Sequence, residues 1–393
     1  MAKTIIVGGD HHNTLGVIRS LGIKGIIPDI YVISEDTHIY NLHSRYVGSI
    51  KFFPCGEAVI QYMLADQSIA IEKPVVIVTS DVAIFHLDKN YDSLSTKYNI
   101  FNAHGSLPSL MSKESMCALA SKVGFNIPKH IVYRIGEELP SDVTFPCITK
   151  AISSVDGGKS DTTICQTREE LECFLKTPNL CHTIQIEHFI QKEIEFQFIG
   201  LSLNGGREII IPGHSHIDRP NGIQNTYFFP YVANDESFSE TLTKAKAFVR
   251  TVGYSGLFSI EFLRGKDGVD YFLEMNFRND GNAICVTDAG FNLPYIWYLY
   301  NIGENYRREI EQSIFKPVFY CPEIFYAKQC AYGEVSFMQW FKDMLRANSF
   351  TNYYKGDSPK FYWLNFSKFA MKQMVKKLLI KLGFMHAPKE SLG

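Results

Sequence analysis

Short apolar runs alternate with helical stretches over the first hundred residues. Strands are predicted at residues 4–7, 29–33 and 75–79, and the face of a helix after the first strand is formed by Leu15, Val17, Ile18 and Leu21. This alternation predicts a small parallel α/β domain over residues 1–108. The three strands are followed by Gly8-Gly9-Asp10, Ser34-Glu35 and Ser80-Asp81, at the strand ends where parallel sheets bind ligands. Asp10 is therefore a candidate substrate contact, although each of these segments also fits an ordinary turn.

The pattern changes near residue 109, where a helix is followed by a mixture of strands and hairpin turns. Ser112 can cap this helix, Gly124 ends it, and its apolar face consists of Met116, Leu119, Ala120 and Val123. Strands are predicted at residues 145–150, 184–190, 193–199, 198–203, 208–211, 258–263 and 271–275, with helices that begin at Thr167 and span 240–251. This mixture predicts a second unit of mixed helices and strands over residues 109–310.

The chain changes character again after about residue 302. Residues 315–363 are rich in Phe, Tyr and Trp and are expected to pack on the core. Apolar residues then recur at helical spacing at Met371, Met374, Val375, Leu378, Leu379 and Leu382, interleaved with Lys368, Lys372, Lys376, Lys377 and Lys381. We therefore predict a C-terminal extension over residues 311–393 with a basic amphipathic helix at 366–382. This helix can make peripheral contact with an anionic membrane, or dock on its own protein or on a homodimer partner.

Composition and charge exclude several classes of protein. The chain has 393 residues, of which 46% are hydrophobic and 20% charged, so it is globular and not disordered or fibrous. The 39 Lys and Arg residues against 41 Asp and Glu residues give a net charge of −2, which offers no support for a nucleic-acid partner. We therefore expect small-molecule substrates.

The cysteine pattern and the apolar runs indicate the compartment. Nine cysteines without CxxC spacing favour reduced thiols over a zinc site or a disulfide framework. The first apolar run is too short for a signal-peptide core, and no run approaches the roughly 20 residues that span a bilayer. We therefore expect a cytoplasmic protein, with association with the inner face of the membrane through residues 366–382 as an alternative.

A flexible loop follows one predicted strand, with one lysine before it and another inside it. Lys150 ends the strand, and the Ser/Gly-rich loop at residues 153–160 contains Lys159. Glycines and serines let backbone N–H groups approach phosphate oxygens, and lysines supply positive charge. The order of elements differs from that of the GxxxxGK[ST] loop, so the pattern alone also fits a surface hairpin.

Acidic residues lie within two strongly apolar predicted strands. Glu261 lies in the first, and Glu274 lies in the second, two residues before Asn276 and therefore on the same face of the sheet. Buried carboxylates are costly unless a cation meets them, and two carboxylates with an amide oxygen suit Mg²⁺. The alternative is an edge-strand pair with solvated carboxylates. Arg278, just beyond, can stabilise charge on a transferring phosphoryl group or form a salt bridge.

In this order and spacing, residues 113–292 resemble the ATP-grasp superfamily. The resemblance is carried by Ser112-Lys113-Glu114, Ile148-Thr149-Lys150, the 153–160 loop, Gln185-Ile186-Glu187-His188-Phe189-Ile190, Glu193-Ile194-Glu195, Ser259-Ile260-Glu261-Phe262 and Leu273-Glu274-Met275-Asn276-Phe277-Arg278. It implies a two-lobed ATP-grasp domain, with a small lobe over residues 109–185 and a large lobe over 186–310. It also implies ATP and Mg²⁺ (or Mn²⁺) as cofactors.

The resemblance also implies roles for individual residues. Lys113 and Lys150 would contact the phosphates of ATP, and Lys150 would act as a catalytic residue with Arg278 at the reacting phosphoryl group. The other implied nucleotide contacts are Ser153, Ser154, Gly158 and Lys159 in the loop, Glu187, His188, Phe189 and Ile190 at adenine, and Glu195 at the ribose hydroxyls. The implied metal ligands are Glu261, Glu274 and Asn276. Asp156 departs from the family pattern because it places negative charge near the phosphates.

Several N-terminal segments resemble one branch of the superfamily. Residues 19–22, 44–46, 91–92 and 98–113 are similar to D-aspartate ligases and related carboxylate–amine ligases of bacterial cell-surface synthesis. This resemblance implies a ligase that forms an amide through an acyl phosphate, in cell-wall or surface-polysaccharide synthesis. The alternatives are a carboxylase that acts through carboxyphosphate, and an inactive ATP-binding sensor or scaffold. A nicotinamide-dependent oxidoreductase would need a glycine fingerprint that the sequence lacks.

Four further residues are candidate substrate contacts. His214 and Arg219 lie where acceptor-binding residues often occur in this family, and arginine can bind a carboxylate through two hydrogen bonds. Asn279 and Gly281 lie just beyond the implied metal ligands. His214-Ser215-His216 also resembles a metal-binding pair that lacks a third ligand, and the segment can equally be a structural loop.

Overall fold

The computed structural model describes most of the chain. The described residues are 2–39, 41–66, 72–102, 105–151, 162–177, 180, 182–217, 228–333 and 335–357, with 368, 371, 372, 375 and 379 near the C-terminus. These residues form three β-sheets with helices packed against them. Most of the predicted basic helix at 366–382 lies outside the described residues.

A four-stranded parallel sheet forms the N-terminal domain. Its strands are β1 (Thr4–Gly8), β2 (Asp29–Ile33), β3 (Ile50–Phe53) and β4 (Val75–Val78), in the spatial order β3-β2-β1-β4. The helices of this region are α1 (His12–Gly22), α2 (Gly56–Ala65), α3 (Asp81–Lys89), α4 (Tyr91–Ser95) and α5 (Leu107–Leu110). Because β1 and β4 are parallel neighbours, the loops that follow them lie side by side at one edge of the sheet.

The small lobe is a four-stranded antiparallel sheet. It contains β5 (His130–Arg134), β6 (Cys147–Ala151), β7 (Thr163–Cys165) and β8 (Thr183–His188), in the order β5-β8-β6-β7. Two helices accompany it in sequence, α6 (Lys113–Lys122) and α7 (Arg168–Phe174). The side chains of the lobe form their own core, which consists of Tyr133, Cys147, Cys165, Leu171, Ile184 and Ile186.

The large lobe is built on an eight-stranded sheet. Its strands are β9 (Lys192–Leu203), β10 (Glu208–Ile210), β11 (Gly213–Ile217), β12 (Phe229–Ala233), β13 (Gly256–Gly265), β14 (Asp270–Asn276), β15 (Val318–Cys321) and β16 (Ser349–Phe350). The order is β14-β13-β9-β11-β12-β15-β16, with β10 paired to β9. The remaining helices are α8 (Ser239–Val252), α9 (Ile284–Asp288), α10 (Leu293–Asn301), α11 (Tyr306–Gln312), α12 (Glu323–Tyr332) and α13 (Phe337–Arg346).

One face of the large-lobe sheet is a stack of aromatic rings. Phe196 and Phe262 stack with ring centroids 5.1 Å apart, and Phe248 of α8 lies 5.4 Å from Phe272. Side chains alternate between the two faces of a strand, so the residues between these aromatics point to the other side. The large-lobe sheet therefore has one aromatic face and one face that carries polar side chains.

The main core is shared between the N-terminal domain and the large lobe. Buried side chains from β1, β4, β9 and β13 belong to one continuous cluster, and Trp297 Nε1 of α10 donates a hydrogen bond to Val76 O at 3.3 Å. Two buried residues of α6, Met116 and Ala120, also belong to this cluster. The N-terminal domain and the large lobe are therefore one packed body, whereas the small lobe is packed around a core of its own.

The fold class and most of the predicted elements agree with the structure. The elements that the prediction missed include the strands β3, β5, β7, β11 and β12 and the helix α2. The prediction also divided β9, which is one strand of twelve residues, and it extended β8 past its end at His188. The C-terminal extension contributes β15 and β16 to the large-lobe sheet, where β15 pairs with β12. The proposed domain and lobe boundaries stay predictions.

A buried ion pair fastens the C-terminal extension to α1. Arg19 Nε lies 2.9 Å from Asp357 Oδ2, and both side chains are almost fully buried. Arg19 Nη2 also donates to Asn352 O at 2.6 Å, while Asp357 Oδ1 accepts a hydrogen bond from the N–H of Arg45 at 2.8 Å. Each buried charge is therefore stabilised by the other.

In the described part of the chain, no helix combines the length and apolar character needed to cross a membrane.

Replacing Asp357 with Asn is expected to lower the free energy of unfolding by about 3–5 kcal/mol, because the Arg19 guanidinium would stay buried without a counter-charge. Urea unfolding followed by tryptophan fluorescence measures this loss. The double variant Arg19→Met/Asp357→Leu removes both charges and is expected to lose less stability. A double variant that loses as much as the single variant would contradict this role for the ion pair.

Candidate active site

The polar face of the large-lobe sheet carries a row of four side chains. The register places Ser215 of β11, Gln197 of β9, Glu261 of β13 and Glu274 of β14 opposite one another across four adjacent strands. Residues directly opposite on paired strands have Cβ atoms about 4.5–5.5 Å apart and share a face. The backbone pairing therefore brings the two carboxylates together.

Asn276 and Asp280 extend this polar row. Asn276 Nδ2 lies 3.3 Å from Glu261 Oε1 and 3.4 Å from Ser259 Oγ. Asp280 Oδ2 accepts hydrogen bonds from Ser259 Oγ at 3.0 Å and from Gln197 Nε2 at 2.8 Å. These two bonds hold Asp280 against the sheet, although it belongs to the loop after β14.

The chemistry of this row fits a divalent cation. Carboxylates directly opposite each other on paired strands repel unless positive charge lies close by. Gln197 Oε1 is buried and makes no hydrogen bond, so the row also contains an unsatisfied neutral oxygen beside Glu261. Mg²⁺ and Mn²⁺ prefer such carboxylate and amide oxygens. Among the described residues no three His, Cys, Asp or Glu side chains form a group that could hold a metal ion. The predicted ligands in this row are two carboxylates and the amide of Asn276.

Lys150 is fixed at the end of β6 by an ion pair with the neighbouring strand β8. Its Nζ lies 2.7 Å from Glu187 Oε1, and Glu187 Oε2 accepts a hydrogen bond from Gln185 Nε2 at 2.9 Å. Glu187 is buried, so its charge needs these partners. The small lobe therefore holds the Lys150 ammonium in a defined position.

Lys113, the first residue of α6, lies close enough to Lys150 and Glu187 for their charges to affect it. Burial and the charge of Lys150 lower the pKa of Lys113, and the carboxylates of Glu274 and Glu187 oppose this shift. Lys113 and Glu274 line one cleft, whose other lining residues are Asp81, Met111, Met116, Met275, Asn276 and Phe277. This cleft brings one predicted phosphate contact beside two predicted metal ligands.

Residues 189–191 join β8 to β9 and therefore connect the two lobes. The N–H of His188 donates to Lys129 O at 2.8 Å, and the N–H of Phe189 donates to Pro146 O at 2.9 Å. Both amides are used within the small lobe. Any contact of these two residues with an adenine base would therefore use a carbonyl oxygen or a side chain.

Glu195 lies on the polar face of β9, two residues before Gln197. Its Oε1 accepts a hydrogen bond from Lys192 Nζ at 3.3 Å. Ile190 lies against the end of β13, where a Cβ on Gly265 would come within 3.0 Å of Ile190 Cγ2. The predicted adenine and ribose contacts are therefore placed at the same end of the sheet, beyond Gln197.

Arg278 connects the loop after β14 to the N-terminal domain. Its Nε and Nη2 donate to Asp81 Oδ1 and Oδ2 at 2.9 and 3.1 Å, and Nη2 also donates to Asn276 Oδ1 at 3.2 Å. Burial lowers the pKa of Arg278, but the carboxylates of Asp81, Asp280 and Glu274 outweigh it, so the pKa lies above its usual value. The guanidinium is thus a fixed positive charge beside the carboxylate row.

His11, in the loop after β1, and His12, the first residue of α1, lie near this cluster on the N-terminal side. Burial, followed by the charges of His12 and Arg278, lowers the pKa of His11 to about 4. Burial also lowers the pKa of His12, although the Asp280 carboxylate opposes this shift. A Cβ added to Gly281, in the loop after β14, would lie 2.7 Å from His12 Nε2. The loop after β14 therefore packs directly against His12. Both imidazoles are therefore neutral at pH 7.

Asn279 and Asp10, two predicted substrate contacts, make hydrogen bonds within the protein. Asn279 Nδ2 donates to Asn13 Oδ1 at 2.6 Å, and Asn13 Nδ2 donates to Asn279 O at 2.6 Å. Asp10 Oδ1 accepts hydrogen bonds from the N–H groups of Asn41 and Leu42. Asn279 therefore joins the loop after β14 to α1, and Asp10 orders the loop at residues 41–42. Substrate contacts of either residue stay predictions.

His214, a predicted substrate contact, lies on the other face of the sheet from the carboxylate row, and its contact with a substrate stays a prediction. His214 pairs with Phe198, whereas the next residue, Ser215, pairs with Gln197. The alternation of side chains along β11 therefore turns His214 towards the aromatic face, away from the carboxylates. Its Nε2 lies 2.8 Å from His216 Nε2 within that face.

Five predicted site residues lie outside the described residues. They are the loop residues Ser153, Ser154, Gly158 and Lys159, and the proposed substrate contact Arg219. Their roles stay predictions.

Several side chains of the cluster were not predicted from the sequence, and Gln197 and Gln185 are two of them. Gln197 lies two residues after Glu195, and Gln185 lies two residues before Glu187. Each is a polar residue inside an apolar strand, on the same face as a predicted site residue. That spacing is the signal that could have identified them.

The chain is similar to several solved structures, although no sequence family matches it. No family model matches the sequence, and no curated protein matches it. Solved structures do match. An L-amino acid ligase from Bacillus licheniformis is 16% identical, with a TM-score of 0.64 over 81% of this chain and 79% of the ligase. An ADP complex of N5-carboxyaminoimidazole ribonucleotide synthetase is 15% identical, with a TM-score of 0.61 over 81% of each chain.

A biotin carboxylase from Campylobacter jejuni is also similar. It is 17% identical, with a TM-score of 0.61 over 81% of this chain and 75% of the carboxylase. At such low identity the similarity establishes the fold and not the reaction. The agreement extends over about four fifths of the chain. The protein therefore has the ATP-grasp fold that the order and spacing of its motifs predicted.

Proposed function

We propose that this protein is an ATP- and Mg²⁺-dependent ligase that joins a carboxylate to an amine. The observation that carries the proposal is the opposed pair Glu261 and Glu274 beside a cleft that also contains Lys113. A metal–triphosphate needs this combination, because carboxylates bind the metal and lysines neutralise phosphate oxygens. The similar structures include an ADP complex and a MgADP complex, which supports ATP and Mg²⁺ as cofactors.

The nucleotide would bind between the two lobes. Lys113 and Lys150 would neutralise phosphate oxygens, and the ion pair with Glu187 would keep Lys150 in position. Residues 187–190 would contact adenine, and Glu195 would accept hydrogen bonds from the ribose hydroxyls. Because the small lobe has its own core, it can close over the nucleotide as a unit and exclude water from the reacting groups.

The metal and the transferring phosphoryl group would meet at the carboxylate row. Glu261, Glu274 and Asn276 would hold Mg²⁺, which when bound neutralises phosphate charge and polarises the phosphoryl group. Arg278, fixed by its two hydrogen bonds to Asp81, would donate to an oxygen of the transferring group. These residues supply fixed charges that need no rearrangement during the reaction.

The proposed reaction has two steps. A carboxylate oxygen of the substrate attacks the γ-phosphorus of ATP, the bond to the β–γ bridging oxygen breaks, and an acyl phosphate and ADP form. The amine nitrogen then attacks the acyl carbon, the bond between that carbon and the phosphate oxygen breaks, and the nitrogen loses a proton. The products are an amide and inorganic phosphate. Positioning and charge neutralisation would supply most of the acceleration.

The amine would enter between the loop after β1 and the loop after β14. His12 lies there against Gly281, and its imidazole is neutral and near the Asp280 carboxylate. A neutral imidazole can accept the proton that the amine loses, and a nearby carboxylate stabilises the imidazolium that results. Arg278, on the same loop, would hold the acyl phosphate while the amine attacks.

A carboxylase is the second candidate function. In that reaction bicarbonate would replace the substrate carboxylate and give carboxyphosphate. The structural similarity to N5-carboxyaminoimidazole ribonucleotide synthetase and to biotin carboxylase supports this candidate. Measuring ADP release with D- and L-amino acids and with bicarbonate separates the two. Release that needs an amine and a carboxylate favours the ligase, whereas release with bicarbonate alone favours the carboxylase.

The pathway and the location of the protein stay predictions. A role in cell-wall or surface-polysaccharide synthesis rests on the resemblance of the N-terminal segments to carboxylate–amine ligases. The cytoplasmic location rests on the sequence composition alone. Both are consistent with a ligase that uses cytoplasmic ATP.

Replacing Glu274 with Gln is expected to lower ADP release by about 100-fold or more, because a neutral amide binds Mg²⁺ far less strongly than a carboxylate. The variant should also need a higher Mg²⁺ concentration for half-maximal rate. Asp267→Asn, in the turn that joins β13 to β14, changes a carboxylate outside the row and should leave the rate unchanged. ADP release from Glu274→Gln at the wild-type rate would refute the metal site.

Replacing Lys150 with Met is expected to weaken binding of a non-hydrolysable ATP analogue by about 10- to 100-fold, the worth of a charge-assisted hydrogen bond to phosphate. Isothermal titration calorimetry measures this affinity. As a control, Lys129→Met alters an exposed lysine next to β5 and should bind the ATP analogue as the wild type does. Undiminished binding of the analogue by Lys150→Met would exclude the phosphate contact.

The rate of amide formation is expected to stay constant as the pH falls to about 6.5 and to decline only below that pH. The reason is that burial lowers the pKa of His12 beneath its ordinary value. Below that pKa the imidazole carries a proton and cannot accept another. In His12→Asn the rate should fall and this acid limb should disappear, while the affinity for the ATP analogue stays unchanged. An unaltered acid limb in His12→Asn would show that another group accepts the proton.

A further inference from the structure

A chain of hydrogen bonds links the N-terminal domain to the carboxylate row. Asp81, the first residue of α3, accepts two hydrogen bonds from the guanidinium of Arg278. Arg278 Nη2 also donates to Asn276 Oδ1 at 3.2 Å, and Asn276 Nδ2 lies 3.3 Å from Glu261 Oε1. Three side chains therefore connect α3 to a predicted metal ligand, although Asp81 precedes Arg278 by 197 residues in the sequence.

The two ends of the Asn276 amide are held by partners of opposite kind. An arginine can only donate hydrogen bonds, and an ionised carboxylate can only accept them. Arg278 therefore binds the oxygen of the amide, and Glu261 binds the nitrogen. Divalent cations bind an asparagine through its oxygen, which has two lone pairs and can serve a cation as well as Arg278. The contact with Arg278 thus fixes the orientation that Asn276 needs as a metal ligand.

Asp81 is a rigid support for the guanidinium of Arg278. Its two oxygens bind two nitrogens at 2.9 and 3.1 Å, and a paired contact of this kind restricts rotation more than a single hydrogen bond does. Helix α3 is capped by Ser80, and its buried side chains belong to the main core. The N–H of Asn279 also donates to Val78 O at 3.1 Å, so the same domain holds the backbone beside Arg278.

A second arginine–aspartate pair has the same geometry but lies away from the carboxylate row. Arg264 Nε and Nη2 donate to the two oxygens of Asp270 at 2.6 and 3.0 Å. The side chains of this pair are about as buried as those of Arg278 and Asp81. The Arg264 guanidinium lies 4.5 Å from the ring centroid of Phe238, on the aromatic face of the sheet. This pair is therefore a matched control for the contact between Asp81 and Arg278.

We propose that Asp81 is a positioning residue that acts through Arg278 on Asn276 and so raises the affinity of the carboxylate row for a divalent cation. The inference rests on the proposed function, because it concerns the same row. Asp81 would contact neither the cation nor the phosphates. Without its carboxylate the guanidinium would turn away from Asn276, and the amide would rotate. Side chains that orient metal ligands typically contribute about 10- to 100-fold to metal affinity.

Binding of Mn²⁺ in the presence of a non-hydrolysable ATP analogue tests the proposal, with free Mn²⁺ measured by electron paramagnetic resonance. Asp81→Asn is expected to weaken Mn²⁺ binding by about 10- to 100-fold. Asp81→Glu keeps a carboxylate and should recover part of this loss. Asp270→Asn breaks the matched pair on the other face and should bind Mn²⁺ as the wild type does. Wild-type Mn²⁺ affinity in Asp81→Asn, or an equal loss in Asp270→Asn, would overturn the proposal.

A double-mutant cycle separates positioning from a direct effect of the Asp81 charge. Arg278→Lys keeps a positive charge but lacks the planar fork that holds Asp81 and Asn276 at the same time. If Asp81 acts through Arg278, then Asp81→Asn should have little further effect on Mn²⁺ affinity in the Arg278→Lys background. An equal effect in both backgrounds would show that the charge of Asp81 acts on the cation directly, and the positioning role would be wrong.

Failure of the proposed function gives a different result from failure of this inference. If the wild type binds no Mn²⁺ with the analogue, the metal site itself is refuted, and the role of Asp81 with it. If the wild type binds Mn²⁺ and Asp81→Asn binds it equally well, only the role of Asp81 is refuted. Urea unfolding of Asp81→Asn and Asp270→Asn should show similar losses of stability, so a difference in Mn²⁺ affinity would not come from a folding defect.

Discussion

Repulsion between two carboxylates is the constraint on which the rest of the site depends. Glu261 and Glu274 occupy directly opposed positions on β13 and β14, an arrangement that is unfavourable in a folded chain without added positive charge. Lys113 and Arg278 supply part of that charge, and the proposed cation would supply the rest. A sheet that needed only stability would place apolar or oppositely charged pairs at these positions. The proposed binding of a metal–phosphate complex would account for this cost.

The arrangement of the hydrophobic cores determines which charged side chains are fixed relative to the large lobe and which can move with the small lobe. Asp81 and His12 belong to the N-terminal domain, which shares one core with the large lobe, so their positions relative to Arg278 are rigid. Lys150 belongs to the small lobe, which has a separate core and is joined to the large lobe through residues 189–191. The proposed reaction centre would then be rigid, and Lys150 would move with the small lobe. A lobe of this kind can admit a nucleotide and then cover it.

The sequence predicted the parts of the site that depend on short-range spacing. Glu274 and Asn276 share a face because they are two residues apart, and the turn between the apolar strands pairs β13 with β14. The partners of Arg19 and Arg278 could not be predicted, because Asp357 and Asp81 are distant in sequence and meet only when three regions pack together. The face on which His214 lies could not be predicted, since a shift of one residue in β11 exchanges the two faces of the sheet.

The division between strands and loops explains why the fold is easier to infer than the substrate. The carboxylate row lies on paired strands with an aromatic core behind it, so its geometry follows from the sheet register. The region around His12 and Gly281 lies where the loop before α1 meets the loop after β14, and loops tolerate substitutions that a sheet does not. A change there can alter the acceptor while the metal and phosphate contacts stay intact. One fold can therefore serve ligases and carboxylases alike, and the acceptor has to be assigned from the side chains of these loops.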